Sequence, residues 1–364
     1  MHPRWPNVAG PGELEGLSRW SRLWRRAGSR ISRAGSRFSR AGSRISSPVN
    51  RLGGRPGRVG LTLAGVALLT LSGCGLAGGS NGGGRSVVAA FYPLQYVAEQ
   101  IGGSRVTVTN LAPPGSEPHD LELSPRQLME LSDAALVLYL AGFQPAVDEA
   151  VRLNAASRAL DAAGVVPLVE RAAASGAAAE PGAGHAGEAD QSGPDPHLWL
   201  DPTRLASVGD AVAARLASID PDGATGYRER AASLRRTLAD LDAEYSAGLR
   251  SCQRREIITS HTAFGYLADR YRLTQVGITG LSPESEPTPQ RLAQVAAEAR
   301  RTGATTIFFE SLVSPRVAEA IASEIGAKTA VLDPIEGLSP GSTDDYVSVM
   351  RRNLSALRTA LGCA

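Results

Sequence analysis

The five histidines of this 364-residue chain are the side chains best suited to metal chemistry, because the neutral imidazole is the commonest metal ligand in proteins. His2 lies near the chain start, and His185 lies in a stretch rich in alanine and glycine. The other three, His119, His197 and His261, each follow a short apolar run or lie between prolines. At such positions a predicted strand has just ended or a loop is stiffened, so the three imidazoles could come together.

A carboxylate occupies a similar position, because Asp333 directly follows another apolar run and precedes Pro334. Ligands of open α/β sheets bind outside the carboxyl ends of the strands. Three imidazoles and one carboxylate match the tetrahedral coordination of Zn²⁺. The pattern therefore predicts a metal site formed by His119, His197, His261 and Asp333. Taken singly, each histidine could equally be a hydrogen-bonded structural residue, and Asp333 could be a turn residue.

Short apolar runs alternate with helical patterns from residue 86 onward. The runs are continuous rather than alternating, as in strands that are buried on both faces. This alternation predicts an α/β fold with parallel β-sheets flanked by helices. The predicted strands are 86–91, 105–111, 135–140, 256–260, 273–278, 304–309 and 328–332. The predicted helices are 93–102, 125–133, 144–155, 203–217, 262–271, 288–302 and 314–326.

One further helix differs from the others in length. Residues 226–250 carry an apolar stripe at spacings of three and four, with three predicted strands before it and four after it. We therefore predict two lobes, 86–220 and 251–364, joined by one long connecting helix within 221–250. The Ala/Gly-rich residues 171–194 are predicted to be a mobile surface loop in the first lobe.

The segment before the first lobe has the features of an export signal. Residues 59–71 form an uncharged, mostly apolar run that suits a signal peptide and is short for a membrane span. Leu-Ser-Gly-Cys at 71–74 resembles a bacterial lipobox, so Cys74 is predicted to be the lipidated first residue of the mature protein. Residues 74–85 would then be a flexible, glycine-rich tether. The alternative is a buried core helix that ends in cysteine, but no amphipathic pattern surrounds the run.

The leader is unusually long if the whole sequence is translated. Signal peptides are usually about 15–30 residues long, whereas residues 1–73 precede the predicted lipidated cysteine. A seven-residue repeat over 27–47 has one large apolar residue per unit, which cannot form a core. We therefore predict that 1–48 is disordered or lies upstream of the true start, with translation beginning near Val49.

Charge separates the leader from the rest of the chain. Residues 1–73 contain thirteen arginines and two acidic residues, which leaves 25 basic and 34 acidic residues in 74–364. The basic excess of the whole chain therefore comes from the leader. An acidic body argues against a nucleic-acid partner, which would require a basic face on the folded part.

The three cysteines agree with export. If Cys74 carries lipid, then Cys252 and Cys363 remain and could form one disulfide bond, which exported proteins favour. Such a bond would close a long loop and contribute roughly 4–5 kcal/mol in the chain-entropy model. Two separate thiols are the alternative.

Four segments resemble those of a known family. They are Glu-Pro-His-Asp at 117–120, Asp-Pro-His-Leu-Trp-Leu-Asp-Pro at 195–202, Ser-His-Thr-Ala-Phe-Gly-Tyr at 260–266 and Gly-Leu-Ser-Pro-Glu-Ser-Glu-Pro at 280–287. In this order they resemble the zinc-binding solute-binding lipoproteins of ABC transporters, cluster A-I, the ZnuA/TroA-like family. The resemblance covers roughly 86–364.

The resemblance implies two α/β lobes with a metal between them, held by His119, His197 and His261. Manganese-binding relatives usually have a carboxylate at the third of these positions, so His261 favours zinc. Asp333 matches the fourth, carboxylate position, and Asp195 and Glu117 are candidates to orient the imidazoles. The Ala/Gly-rich loop departs from the family, because many zinc-binding members have a histidine-rich acidic loop there and this chain has one histidine.

The same resemblance implies a function without catalysis. Zn²⁺ would be the transported ligand, a permease and an ATPase on other chains would be the partners, and the protein would be an extracytoplasmic monomer anchored to the cell membrane by lipid. No phosphate-binding Gly-x-x-x-x-Gly-Lys-Ser/Thr motif occurs in the chain. Three alternatives remain open: a manganese transporter component, a surface adhesin with a structural metal, and a zinc hydrolase.

Overall fold

The computed structural model of the protein describes residues 85–171 and 193–364, which fall within one compact unit. The predicted leader, the lipidation site at Cys74, the tether and most of the loop 171–194 lie outside the described residues. Among the residues that are described, no helix is both long and apolar enough to cross a membrane.

The first lobe is built on a four-stranded parallel sheet. Its strands are β1 (Arg85–Ala89), β2 (Val106–Asn110), β3 (Leu136–Tyr139) and β4 (Ala159–Asp161). Its first helices are α1 (Tyr92–Gly102), α2 (Pro125–Asp133), α3 (Pro145–Asn154) and α4 (Ala162–Val165). The strand order is β2-β1-β3-β4. Consecutive residues of β1, from Val87 to Ala89, are all fully buried, so both faces of this strand are covered.

A short antiparallel pair completes this lobe. It consists of β5 (Val169–Arg171) and β6 (Gly193–Asp195), and it leads through a 3₁₀ turn into α5 (Pro202–Ile219). The Asp201 carboxylate accepts a hydrogen bond from the backbone N–H of Thr203, and proline follows at the first helical position, so α5 begins where its sequence predicts.

The long helix α6 (Ala224–Gly248) follows, with 25 residues and a length of about 37 Å. Its apolar stripe is buried, including Leu234, Leu238, Leu241 and Tyr245. The helix packs along α5 and α1, so this connecting helix is in contact with the first lobe.

The second lobe repeats the architecture of the first. Its strands are β7 (Glu256–Thr259), β8 (Thr274–Gly277), β9 (Thr306–Phe309) and β10 (Lys328–Val331). Its helices are α7 (Gly265–Tyr271), α8 (Pro289–Thr302), α9 (Arg316–Ile325) and α10 (Tyr346–Leu361). The strands are parallel in the order β10-β9-β7-β8, so the carboxyl ends of β7, β9 and β10 lie along one edge of the sheet.

The predicted fold class, two lobes with parallel sheets flanked by helices, is confirmed. All seven predicted strands are present within two residues of their predicted bounds, and the eight predicted helices within three. Strands β4, β5 and β6 were not predicted, because they have three residues each and therefore show no period. Helix α10 was not predicted either, although Asp345 caps it in a capping box and a glycine follows its end. Helix α9 begins at Arg316, two residues after the predicted start at 314.

The predicted disulfide is confirmed, because Cys252 and Cys363 are bonded across a separation of 111 residues. It fastens the end of α10 to the chain just before β7. At its other end α10 touches the first lobe, where the Tyr346 hydroxyl donates to the backbone carbonyl of Trp199 and its ring stacks on Tyr96.

Candidate metal centre

The first histidine is held by a loop that touches both lobes. The backbone N–H of His119 donates to a Glu117 carboxylate oxygen at 3.1 Å. Upstream, the N–H of Gly115 donates to the carbonyl of Leu338 at 2.8 Å. Gly115 has a φ of 86°, and a Cβ there would lie 2.7 Å from a side-chain carbon of Pro340. Only glycine permits both this conformation and this close approach, so it fixes the His119 loop against the second lobe.

The second histidine is oriented by a carboxylate on its own segment. A single oxygen of Asp195 accepts from the His197 backbone N–H at 3.0 Å and lies 2.8 Å from its Nδ1. Because a carboxylate oxygen accepts, Nδ1 carries the proton and Nε2 is left as the electron-pair donor. Asp195 therefore contacts an imidazole, as predicted. Glu117 differs, since it binds the backbone of His119 and not its ring.

The third histidine has an equivalent partner from a neighbouring strand. His261 lies just beyond β7, and its Nδ1 is 2.6 Å from a carboxylate oxygen of Glu310, the residue that follows β9. The Ser260 hydroxyl donates to the same oxygen. Nε2 of His261 is therefore also the free donor, and it points toward the other lobe.

The three imidazoles converge on one carboxylate. Oxygen Oε1 of Glu336 lies 3.4 Å from Nε2 of His119, 3.1 Å from Nε2 of His197 and 3.3 Å from Nε2 of His261. The Nε2 atoms of His197 and His261 are 3.3 Å apart, and all four donor atoms lie within 4.8 Å of one another. A tetrahedron with vertices 2.0–2.1 Å from its centre has edges of about 3.3–3.4 Å. Four of the six separations, the three from Glu336 and the one between His197 and His261, therefore match those edges, and the donor set could hold a four-coordinate Zn²⁺.

The pKa values of His197 and His261 are both raised. Burial disfavours a charged His197, but hydrogen bonds to Asp195 and Glu336 outweigh burial and raise the pKa of the ring. Burial likewise opposes the charge on His261, while Glu310 and Glu336 raise its pKa well above the usual value. A metal ion that binds here must displace protons that these carboxylates otherwise hold in place.

The pKa values of His119 and Glu336 shift downward, whereas that of Glu117 shifts upward. Burial lowers the pKa of His119, against the charge of Glu336. For Glu336 burial favours the neutral acid, but the charge and hydrogen bonds of the three histidines hold its pKa well below the usual range. Burial, together with the charge of Glu336, raises the pKa of Glu117 to about 8. Glu336 is thus the anion that can compensate a bound cation, and Glu117 is neutral at pH 7.

The four donor residues are buried or nearly so. His197 and His261 are fully buried, and Glu336 is 1% exposed. Only the His119 side chain reaches solvent, with 10% of its surface exposed. The ring of Phe143 lies edge-on against His119 at 4.6 Å between centroids, and Trp199 packs against His197 at 5.3 Å. Of the four donor residues, His119 is therefore the one most accessible from solvent.

The structure brings together three of the four predicted ligands and replaces the fourth. Asp333 lies outside the cluster: its carboxylate accepts from the Ser311 hydroxyl at 2.6 Å and from the Ile335 backbone N–H at 2.7 Å. The structure therefore places Glu336, three residues further along, where Asp333 was expected. Asp333 lies two residues beyond β10 and its carboxylate caps the following turn, and that turn carries Glu336 to the three histidines.

Sequence reasoning also missed Glu310. Glu310 directly follows β9, and Asp333 lies two residues after the end of β10; a position at a strand end was the criterion applied to histidine and aspartate. We did not apply this criterion to glutamate. Had it covered every acidic residue at a strand end, it would have identified Glu310. No comparable pattern marks Glu336, because its position depends on the turn that precedes it.

The fold and the site together are those of a two-lobe solute-binding protein with a metal centre. The family model described as "Zinc-uptake complex component A periplasmic" matches residues 87–360. The high-affinity zinc uptake system protein ZnuA of Bacillus subtilis is 34% identical over 320 residues, which cover 83% of this chain and 97% of that protein. The zinc-binding protein AdcA of Streptococcus pyogenes is 31% identical over 75% of this chain, and the match spans 55% of AdcA.

Solved structures agree. The laminin-binding protein Lmb of Streptococcus agalactiae, described as bifunctional with adhesin and metal transporting activity, has a TM-score of 0.65 at 29% identity, covering 76% of this chain and 100% of Lmb. The Zn(II)-bound ZnuA-like domain of Streptococcus pneumoniae AdcA has a TM-score of 0.63 at 30% identity, covering 77% and 99%. The chain belongs to the family of ZnuA-type zinc-uptake components, and the resemblance inferred from its four segments is confirmed.

Proposed function

We propose that this protein captures Zn²⁺ outside the cytoplasm, between its two lobes, and delivers it to an ABC importer. The observation that carries the proposal is the convergence of three imidazole Nε2 atoms on one carboxylate oxygen at 3.1–3.4 Å, in a chain that belongs to a zinc-uptake family. Zn²⁺ is the transported ligand and not a resident cofactor, so no bond is made or broken apart from those to the metal.

The donor set favours zinc over manganese. Three nitrogen donors and one oxygen suit Zn²⁺, whereas Mn²⁺ is typically bound by six ligands, mostly oxygen. The site is buried at His197, His261 and Glu336, which leaves little room for the additional water ligands of a six-coordinate ion. His261 is central to this choice because it supplies nitrogen from the second lobe.

The same geometry weakens the enzyme alternative. A catalytic zinc ion usually keeps one coordination position for water or substrate, but here Glu336 lies where the fourth ligand would bind. Its burial also leaves no space for a substrate beside the metal. We therefore assign a role in binding and release.

Delivery requires partners and a location. We propose that a permease and an ATPase on separate chains receive and import the ion, and that the protein acts as a monomer tethered to the membrane by lipid on Cys74. The lipobox-like residues 71–74 and the lipoprotein name of the AdcA relative from Streptococcus pneumoniae support this anchoring.

Metal analysis of full-length protein purified without chelator tests the capture step. We expect one Zn²⁺ per chain for the natural sequence and for two matched controls, His185→Ala in the Ala/Gly-rich loop and Glu319→Ala on the exposed surface of α9. The variants His261→Ala and Glu336→Ala should retain much less zinc. Equal zinc content in all of them would contradict the proposed site.

Growth of a deletion strain tests the transport step. Zinc limitation should impair the strain, and either added zinc or the natural protein should restore growth, whereas His261→Ala should not. Because the Lmb relative is described as an adhesin as well as a metal transporter, adhesion is the second candidate function. A deletion strain that grows normally under zinc limitation but loses attachment would favour adhesion. Displacement of bound Zn²⁺ from the protein by equimolar Mn²⁺ would favour manganese transport.

A further inference from the structure

The turn that carries Glu336 has an uncommon backbone conformation. Ile335, directly before Glu336, has a φ of 60°, and its side chain is fully buried. A β-branched residue adopts this left-handed conformation only where its surroundings impose it, and such positions concentrate at functional sites. Contacts from the neighbouring segments must therefore hold the turn in this form.

Contacts within the second lobe hold the start of the turn. Asp333 accepts from the Ile335 backbone N–H at 2.7 Å and from the Ser311 hydroxyl at 2.6 Å. The Asn353 side chain on α10 accepts from the Asp333 backbone N–H at 2.9 Å and donates to its carbonyl at 2.6 Å. The residue that was predicted to be a ligand thus holds the turn that presents the ligand.

One contact comes from the first lobe. The indole N–H of Trp199 donates to the carbonyl of Pro334 at 2.7 Å, and Trp199 is 1% exposed. Trp199 lies two residues after His197, and Pro334 lies two residues before Glu336. This buried hydrogen bond therefore joins the ligand-bearing segments of the two lobes close to the metal position.

We propose that Trp199 and Asp333 are positioning residues that clamp the 333–336 turn from opposite lobes and fix Glu336 as a single-oxygen ligand. This inference rests on the proposed zinc site. With the clamp intact, the oxygen stays at tetrahedral distance from three nitrogens. Without it, Glu336 can move, bind through both oxygens or admit water, which raises the coordination number. The clamp thereby favours Zn²⁺ over ions such as Mn²⁺ that prefer more ligands.

Substitutions on each side of the clamp test the proposal. Trp199→Phe removes the indole donor but keeps an aromatic ring, and Asp333→Ala removes both acceptor bonds. We expect each to weaken Zn²⁺ binding by about 10–100-fold, as for other groups that orient metal ligands, and to weaken Mn²⁺ binding less, so that the Zn²⁺/Mn²⁺ affinity ratio falls. Asp333→Asn should restore most of the affinity, because the amide can accept from Ile335 and donate to Ser311.

Cobalt substitution separates positioning from a general loss of stability. Four-coordinate Co²⁺ absorbs visible light strongly and six-coordinate Co²⁺ weakly, so Trp199→Phe and Asp333→Ala should weaken the absorption of the loaded protein. The matched control is Tyr245→Phe, which removes an equally buried hydrogen bond, from the hydroxyl to the carbonyl of Met350, away from the site. It should lower the melting temperature without changing the spectrum or the Zn²⁺/Mn²⁺ ratio.

The outcomes distinguish this inference from the proposed function. If the natural protein binds no Zn²⁺, or if Glu336→Ala binds as tightly as the natural protein, then the proposed site itself is wrong. If the natural protein binds Zn²⁺ through Glu336, but Trp199→Phe and Asp333→Ala keep its cobalt spectrum and its Zn²⁺/Mn²⁺ ratio, then the clamp is overturned and the site stands.

Discussion

The four donors of the site divide into an inner group and one outer residue. The inner group, His197, His261 and Glu336, is buried and pre-arranged, with a carboxylate on the Nδ1 of each ring. The outer residue, His119, is partly exposed, and among residues 85–171 and 193–364 no group pairs with its Nδ1. This division leads us to expect that the inner group contributes more to zinc affinity than His119 does.

The largest expected effect comes from removing an inner ligand. Changing His197 or His261 to alanine should weaken Zn²⁺ binding by more than the roughly 10–100-fold that a lost orienting group costs, because a metal bond itself is lost. His119→Ala should weaken binding less and should speed zinc release, because the donors that remain are the buried ones and both remaining imidazoles are held by carboxylates. Competition with a chelator of known affinity, combined with stopped-flow release rates, measures both. If His119→Ala costs as much as the inner variants, the division does not hold.

Removal of orienting carboxylates should give the next largest effect. Asp195→Ala and Glu310→Ala should each weaken Zn²⁺ binding by about 10–100-fold, because each frees an imidazole to rotate and take the wrong tautomer. Glu117→Ala is the comparison variant, and it should cost less because Glu117 holds only the His119 backbone. The same chelator competition measures all three variants. Equal losses of affinity would show that the position of His119 matters as much for zinc binding as the orientation of His197 and His261.

Acidification should weaken zinc binding in two stages. The raised pKa values of His197 and His261 mean that both rings keep protons above the usual histidine range, near 6.5, so zinc must displace them already near neutral pH. The lowered pKa of His119 means that its proton competes only at lower pH. Affinity should fall by about tenfold per pH unit for each proton displaced. Titration calorimetry in buffers of different ionisation enthalpy counts those protons.

The control for this pH profile is His119→Gln. It should leave the upper stage unchanged and reduce the lower one. A profile whose upper stage disappears in this variant would assign the early protons to His119 and reverse the comparison.

The smallest effect on zinc should come from the disulfide bond, which lies far along α10 from the site. Replacing Cys252 and Cys363 together by serine should lower the free energy of unfolding by about 2–5 kcal/mol, as is typical for removal of a native disulfide bond. Zinc affinity should change by less than about twofold, since neither sulfur contacts the site. Thermal melts and chelator competition on the same samples test both parts, and a large loss of affinity would show that α10 transmits strain to the ligands.

The donors also differ in whether they could be predicted from the sequence. His197 and His261 were found because each follows a strand or lies between prolines, and these local features fix where the chain turns. Glu336 was missed because its position depends on Ile335 in a left-handed conformation and on Trp199 from the other lobe. Neither dependence is visible in residue order, since one is a backbone state that isoleucine rarely adopts and the other joins residues that are 135 positions apart.

The fold shows the same limit. Strands of four or five residues were placed correctly because most contain a continuous apolar run, and most helices because their apolar spacing is a local feature. The three-residue strands β4, β5 and β6 exist because neighbouring segments pair with them, and pairing partners cannot be read from so few residues. Helix α10 was overlooked although its capping residue and apolar spacing are present in the sequence.

The most direct test of the ligand set is an anomalous-scattering map at the zinc edge, from crystals of the full-length protein grown with one equivalent of Zn²⁺. We predict a single strong peak about 2.0–2.1 Å from Nε2 of His119, His197 and His261 and from one oxygen of Glu336, with Asp333 still bound to the Ile335 N–H. A peak ligated by Asp333, or a strong peak away from the three histidines, would contradict this ligand set.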